Sequence, residues 1–157
     1  MAIIQLYSFA GVAHVARFTI PGFAVTAQIQ GKDDYVARER SIAVIDDDAS
    51  FRVALVESLS SLGYSARGFS SAEEFIAGDG TEPYDCAITD IYMPGMSGFD
   101  LIRQLLARHS SLPVIMITAD GEPGLEARAT AVGAVCLLRK PFEAAALTDC
   151  LERAMKI

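Results

Sequence analysis

Five short apolar runs, separated by stretches of helical spacing, constrain the fold of this chain more than any other feature. Ile42-Ala43-Val44-Ile45 stops at Asp46, and Cys86-Ala87-Ile88-Thr89 stops at Asp90. Val114-Ile115-Met116-Ile117 stops at Thr118, and the run from Ala134 to Leu138 ends near Lys140. A weaker run covers Tyr64 to Phe69. Four of the five are continuous rather than alternating. A strand of that kind is covered on both faces, which implies a parallel sheet between layers of helices.

The intervening segments read as helices. Phe51, Leu55, Leu59 and Leu62 recur at helical spacing, with Gly63 as a stop. Ser71-Ala72-Glu73-Glu74 has the form of a capping box opening a short helix with Phe75 and Ile76. Leu101, Ile102, Leu105 and Leu106 mark a third helix after Gly98. Leu125 to Val132 is a fourth, and Leu147, Cys150, Leu151 and Ala154 form the apolar stripe of a fifth. Right-handed crossovers between parallel strands then give a doubly wound sheet. In such a sheet the ligand site lies beyond the carboxyl ends of the strands.

The chain divides near residue 40. Residues 1–40 are apolar up to Gln30 and then polar, and they carry four basic and three acidic groups. Residues 41–157 carry nine basic and seventeen acidic groups, a balance of −8. So acidic a domain is a poor direct binder of nucleic acid, because phosphate contacts need Lys and Arg. In the first segment a secretory signal would need Val25-Thr26-Ala27 as its cleavage site. No positive charge precedes the apolar run, and Arg17 and Pro21 interrupt it, which disfavours both a signal and a membrane span. The expectation is an N-terminal extension over 1–40, flexible or loosely docked, and one globular domain over 41–157. Cys86, Cys136 and Cys150 have no metal-like spacing and read as reduced core residues of a cytosolic protein.

The residues at the strand ends carry the chemistry. Asp46-Asp47-Asp48 follow the first run, Asp90 the third, Thr118 the fourth, and Lys140-Pro141 the fifth. Asp48 directly precedes the first helix and suits its N-cap. The other carboxylates, gathered on one rim, repel one another unless a cation neutralises them. Mg²⁺ takes oxygen ligands and keeps room for a phosphate oxygen. The Lys140 ammonium and the Thr118 hydroxyl suit an anionic group. The set is equipped for a phosphoryl group, with one aspartate as nucleophile.

IDDD (45–48), ITDIYMPGMSGFDLI (88–102), VIMITA (114–119) and GAVCLLRKPF (133–142), in that order and at those intervals, resemble the receiver domain of bacterial two-component response regulators. The resemblance covers nearly all of residues 41–157. It implies a flavodoxin-like (βα)5 fold with a five-stranded parallel sheet in the order 2-1-3-4-5. It implies that Asp90 takes a phosphoryl group from a sensor histidine kinase or a histidine phosphotransfer protein. Asp46, Asp47, Asp90 and the backbone carbonyl of Tyr92 would hold Mg²⁺. Thr118 would bind the phosphoryl oxygen and move on activation, and Lys140 would pair with the phosphate. The Lys140–Pro141 bond would be cis. Such a domain catalyses only its own phosphorylation and dephosphorylation. Its output is a downstream protein, a homodimer through the face of the fourth helix, fifth strand and fifth helix, or an output domain joined to it; no direct nucleic-acid or membrane contact is expected.

Leu137 departs from the pattern, since the family usually has an aromatic residue three before the lysine. That leaves an alternative, a receiver fold that works as an interaction domain without phosphorylation. Tyr92 and Asp120 occupy the positions where, by resemblance, residue choice tunes the lifetime of the phosphoryl group. A phosphatase acting on small substrates is disfavoured, because Tyr92 stands where such enzymes need a second acid. His14 and His109 have no partner motif; His109 is expected on the last turn of the third helix.

Overall fold

The computed structural model describes the backbone of 3–7, 15–20 and 23–28, and residues 39–78 and 83–156 in full. The chain forms two compact units, Met1–Arg38 and Glu39–Ile157. In the first, β1 (Ile3–Tyr7), β2 (Val15–Ile20) and β3 (Phe23–Gln28) make an antiparallel meander. The sequence reading names no strand there. The rest of that segment, His14 included, lies outside the described residues, and with it the expectation of a flexible or loosely docked extension.

The second unit alternates strand and helix throughout. Its elements are β4 (Ser41–Ile45), α1 (Ala49–Ser61), β5 (Ser65–Phe69), α2 (Ala72–Ala77), β6 (Cys86–Asp90), α3 (Gly98–Ala107), β7 (Val114–Thr118), α4 (Leu125–Ala131), β8 (Cys136–Arg139) and α5 (Ala144–Met155). The five strands pair in parallel in the order β5-β4-β6-β7-β8. That is the doubly wound, flavodoxin-like order 2-1-3-4-5.

The period-2 geometry of a strand sends alternate residues to opposite faces. Ala43, Ile45, Ala87, Val114 and Met116 pack with Ala72 of α2, Phe99, Leu101 and Ile102 of α3, and Leu125 and Ala129 of α4. Ile42, Val44, Ile88, Ile115 and Ile117 pack with Leu55 and Leu59 of α1 and Leu147, Cys150 and Leu151 of α5. Both faces are therefore buried, which explains the continuous apolar runs. All three cysteines are buried and free, and burial pushes the Cys86 and Cys150 thiols up to about 12.

Several local details differ from the sequence reading. Leu62 is the C-cap of α1, not part of its buried stripe, and is exposed, because Gly63 turns the chain away at φ +90°. Ser71 does cap α2, but Glu74 reaches past it to the N–H and hydroxyl of Ser70. The reciprocal capping box is instead Ser97 with Asp100, at the start of α3. His109 lies beyond α3 in the left-handed conformation (φ 57°), with Arg108 as C-cap. β8 begins at Cys136 rather than Ala134.

Candidate functional site

The parallel register brings Asp46, Asp90, Thr118 and Lys140 to one end of the sheet. β4 lies beside β6 with Ile45 opposite Thr89, so Asp46 and Asp90 follow on neighbouring strands. Asp90 pairs with Ile117 and Thr118 with Arg139, which places Thr118 on the other side of Asp90 and Lys140 beyond it. The carboxylate oxygens of Asp46, Asp47 and Asp90 lie within 4.8 Å of one another. The Lys140 ammonium donates to Asp46 Oδ2 at 2.8 Å and to Asp90 Oδ2 at 3.3 Å.

Asp46 is the most constrained of the acids. It is fully buried, and its Oδ1 accepts from the Asp48 N–H at 2.9 Å. Its own N–H donates to the Phe69 carbonyl, and its carbonyl accepts from Arg52 Nη1 at 2.6 Å. Asp48 caps α1, its Oδ1 accepting from the Phe51 N–H, as its position before the helix implied. Asp47 is the exposed member of the three. Thr118 is fully buried, and its hydroxyl accepts from the Asp120 N–H at 3.1 Å.

Asp90 sits at the junction of strand and loop, with its side chain 13% exposed. Burial pushes its carboxyl above the ordinary carboxylate range, the Lys140 ammonium opposes that, and the Asp46 charge reinforces it. For Lys140, burial alone would lower the ammonium. The Asp46 hydrogen bond and the Asp90 charge outweigh burial and hold it above the usual lysine value. The ammonium also lies 3.9 Å from the centroid of the Phe51 ring, a cation–π contact.

The loop after Asp90 explains Gly95 and Gly98. The Tyr92 N–H donates to Asp90 Oδ1 at 3.3 Å, and Ile91 and Met93 are buried beneath the loop. Gly95 adopts φ +78°, and a Cβ there would collide with the Glu73 carboxylate, which accepts from the Met96 N–H at 2.6 Å. Gly98 lets the start of α3 approach the back of Asp90: a Cβ would lie 2.6 Å from the Asp90 carbonyl oxygen. The Lys140–Pro141 bond is cis.

Sequence reasoning missed four contributors. Arg52 and Phe51 read as ordinary positions of α1, yet one holds the Asp46 carbonyl and the other lies under the Lys140 ammonium. Glu73 carries no signal of its contact with Met96, because that contact spans 23 residues. Glu122 was invisible for the same reason, and its carboxylate accepts from the Tyr92 hydroxyl at 2.7 Å. Leu137 is half-buried against the α2–α3–α4 side of the sheet.

Three carboxylates against one ammonium form an oxygen-rich donor set that suits a hard divalent cation. Fold and site together define the class: a doubly wound domain with an acidic pocket and a lysine at the carboxyl ends of its strands. Residues 42–152 match the response regulator receiver domain, and the chain belongs to that family of two-component regulators. It is 36% identical over 115 residues to the transcriptional regulatory protein FixJ of Bradyrhizobium diazoefficiens, covering 73% of this chain and 56% of that protein. It is 40% identical over 115 residues to the DNA-binding transcriptional regulator NtrC of Klebsiella pneumoniae, covering 71% of this chain and 24% of that one. The chain thus spans about half the length of the first relative and a quarter of the second. The crystal structure of FixJ-N superposes with a TM-score of 0.70 at 31% identity, covering 76% of this chain and 95% of that one. Among the described residues no helix is long and apolar enough to cross a membrane.

Proposed function

We propose that this domain works in the cytoplasm and accepts a phosphoryl group on Asp90 from the phosphohistidine of a sensor histidine kinase or a histidine phosphotransfer protein. The observation that carries this reading is the convergence on Asp90 of two further carboxylates within 4.8 Å and the Lys140 ammonium at 3.3 Å. An Asp90 carboxylate oxygen bonds to phosphorus and the donor's P–N bond breaks. The imidazole nitrogen keeps the electron pair. Asp46, Asp47, Asp90 and the Tyr92 carbonyl would hold Mg²⁺, which supplies positive charge for the phosphoryl oxygens. Lys140 pairs with one such oxygen, and the Thr118 hydroxyl donates to another. The transfer is a reaction of the domain on itself, and its reversal by water returns the carboxylate. The signal passes to a protein partner, to a second copy through α4, β8 and α5, or to an output domain such as the relatives' greater lengths accommodate.

The test is intact-mass spectrometry after incubation with acetyl phosphate, with and without Mg²⁺, on wild type and Asp90→Asn. One phosphoryl adduct that requires Mg²⁺ and disappears in Asp90→Asn is expected. An adduct that survives Asp90→Asn would assign the chemistry to another residue.

A further inference from the structure

The Tyr92 side chain spans two of the strand-end loops and is held at its far end. Its backbone lies two residues past Asp90, where its N–H already contacts the Asp90 carboxylate. Its hydroxyl donates to Glu122 Oε2 at 2.7 Å, four residues past Thr118. Asp90 and Thr118 end adjacent strands, so the ring runs from one strand-end loop to the other. Glu122 is approached in turn by Arg128 of α4, with Nη1 at 3.7 Å from Oε1. The Arg128 guanidinium lies 4.7 Å from the centroid of Phe99, the residue after Gly98, whose backbone abuts Asp90. The contacts close a circuit around the acceptor: Asp90, Tyr92, Glu122, Arg128, Phe99, Gly98.

These contacts differ in strength. Arg128 and Glu122 are both more than half exposed, so their ion pair contributes little by itself. The phenol-to-carboxylate hydrogen bond is charge-assisted and is the stronger link. On an exposed surface such a bond adds little to global stability. What it determines is where a 43% exposed aromatic ring spends its time.

We propose that Glu122 is a positioning residue: it clamps the Tyr92 ring across the pocket mouth and limits the access of water to phosphorylated Asp90. This rests on the phosphoryl-acceptor reading above. The step it governs is hydrolysis. The oxygen of water bonds to phosphorus, and the bond from phosphorus to the Asp90 oxygen breaks. The carboxylate keeps the electron pair, and dihydrogen phosphate leaves and loses a proton to solvent. Arg128 supports the clamp from behind.

The experiment loads each protein with acetyl phosphate and Mg²⁺, removes the donor by desalting, and follows loss of the adduct by intact mass. Glu122→Ala and Tyr92→Phe should each shorten the adduct's half-life by about two- to tenfold, the range one hydrogen bond commands. The double variant should lose no more than the larger single effect, because both remove the same bond. Glu122→Gln keeps an acceptor oxygen but loses the charge, and should fall between wild type and Glu122→Ala. Unchanged half-lives in the single variants, additive losses in the double, or Glu122→Gln behaving like Glu122→Ala would each overturn the clamp while leaving the acceptor chemistry intact. A wild type that forms no adduct would instead remove the acceptor reading, and the clamp with it.

Discussion

The Lys140 ammonium donates to the fully buried Asp46 carboxylate at 2.8 Å across 94 residues of sequence. Two strands, β6 and β7, lie between β4 and β8 in the sheet, yet the two side chains meet beside Asp90. Lys140→Met would leave Asp46 and Asp90 facing each other without a cation. We expect a loss of about 3 kcal/mol, the lower end for breaking a buried ion pair, because the Lys140 side chain retains 17% exposure. Urea unfolding in EDTA measures it, and Mg²⁺ should recover part of the loss. A variant as stable as wild type would mean that Asp46 is satisfied by its backbone contacts alone.

Asp47 behaves in the opposite sense. It is the exposed member of a triad carrying three negative charges against one positive. Asp47→Asn relieves like-charge repulsion and should raise stability in EDTA by about 1 kcal/mol at low salt. It also removes one oxygen charge from the donor set, so the stabilisation that Mg²⁺ confers on wild type should shrink. Thermal melts with and without Mg²⁺ read both effects. A larger Mg²⁺ response in the variant would remove Asp47 from the ligand set.

Gly98 marks the closest backbone approach to the acceptor. A Cβ there meets the Asp90 carbonyl oxygen at 2.6 Å and Ile91 Cα at 3.1 Å, neither of them a movable side-chain tip. Gly98→Ala should cost about 1–3 kcal/mol by overpacking and slow phosphoryl acceptance by displacing Asp90. Denaturant midpoints and the rate of adduct formation from acetyl phosphate check the two consequences. Normal stability and rate would mean that α3 can slide without disturbing β6.

The capping box at the start of α3 should respond to acid. Hydrogen bonds from the Ser97 hydroxyl and then from its N–H hold the Asp100 carboxyl below the ordinary range, with Arg103 adding to this. A depressed folded value means the contribution is complete above the unfolded carboxylate value of about 3.9 and is lost as pH falls through the folded one. The stability difference between wild type and Asp100→Ala should therefore be constant from neutral pH to about 5 and shrink below about 4. Urea midpoints across that range decide it. A constant difference down to pH 3 would mean that the cap does not depend on the charge.

Much of this was readable from residues alone. The runs ending in Asp46, Asp90, Thr118 and Lys140 identified a parallel sheet with its chemistry at one rim, because a strand buried on both faces must be continuously apolar and its polar residues fall at its ends. Asp48 as an N-cap was equally legible, since a cap depends on its own helix and nothing else. Ser71 shows where that logic stops. Its spacing to Glu74 fits a capping box, but the Glu74 carboxylate accepts from two donors one residue earlier, the N–H and hydroxyl of Ser70.

Sequence by itself determined the elements, their order and which residues stand at the strand ends, because hydrophobic period and turn chemistry are local properties of the chain. Only the tertiary structure decided the couplings between them: Arg52 on the Asp46 carbonyl, Phe51 beneath Lys140, Glu73 on the loop after Asp90, and Glu122 on the Tyr92 hydroxyl. Those contacts depend on strand order and register, which carry no periodic signal in any one segment and arise when the two faces of the sheet are buried together.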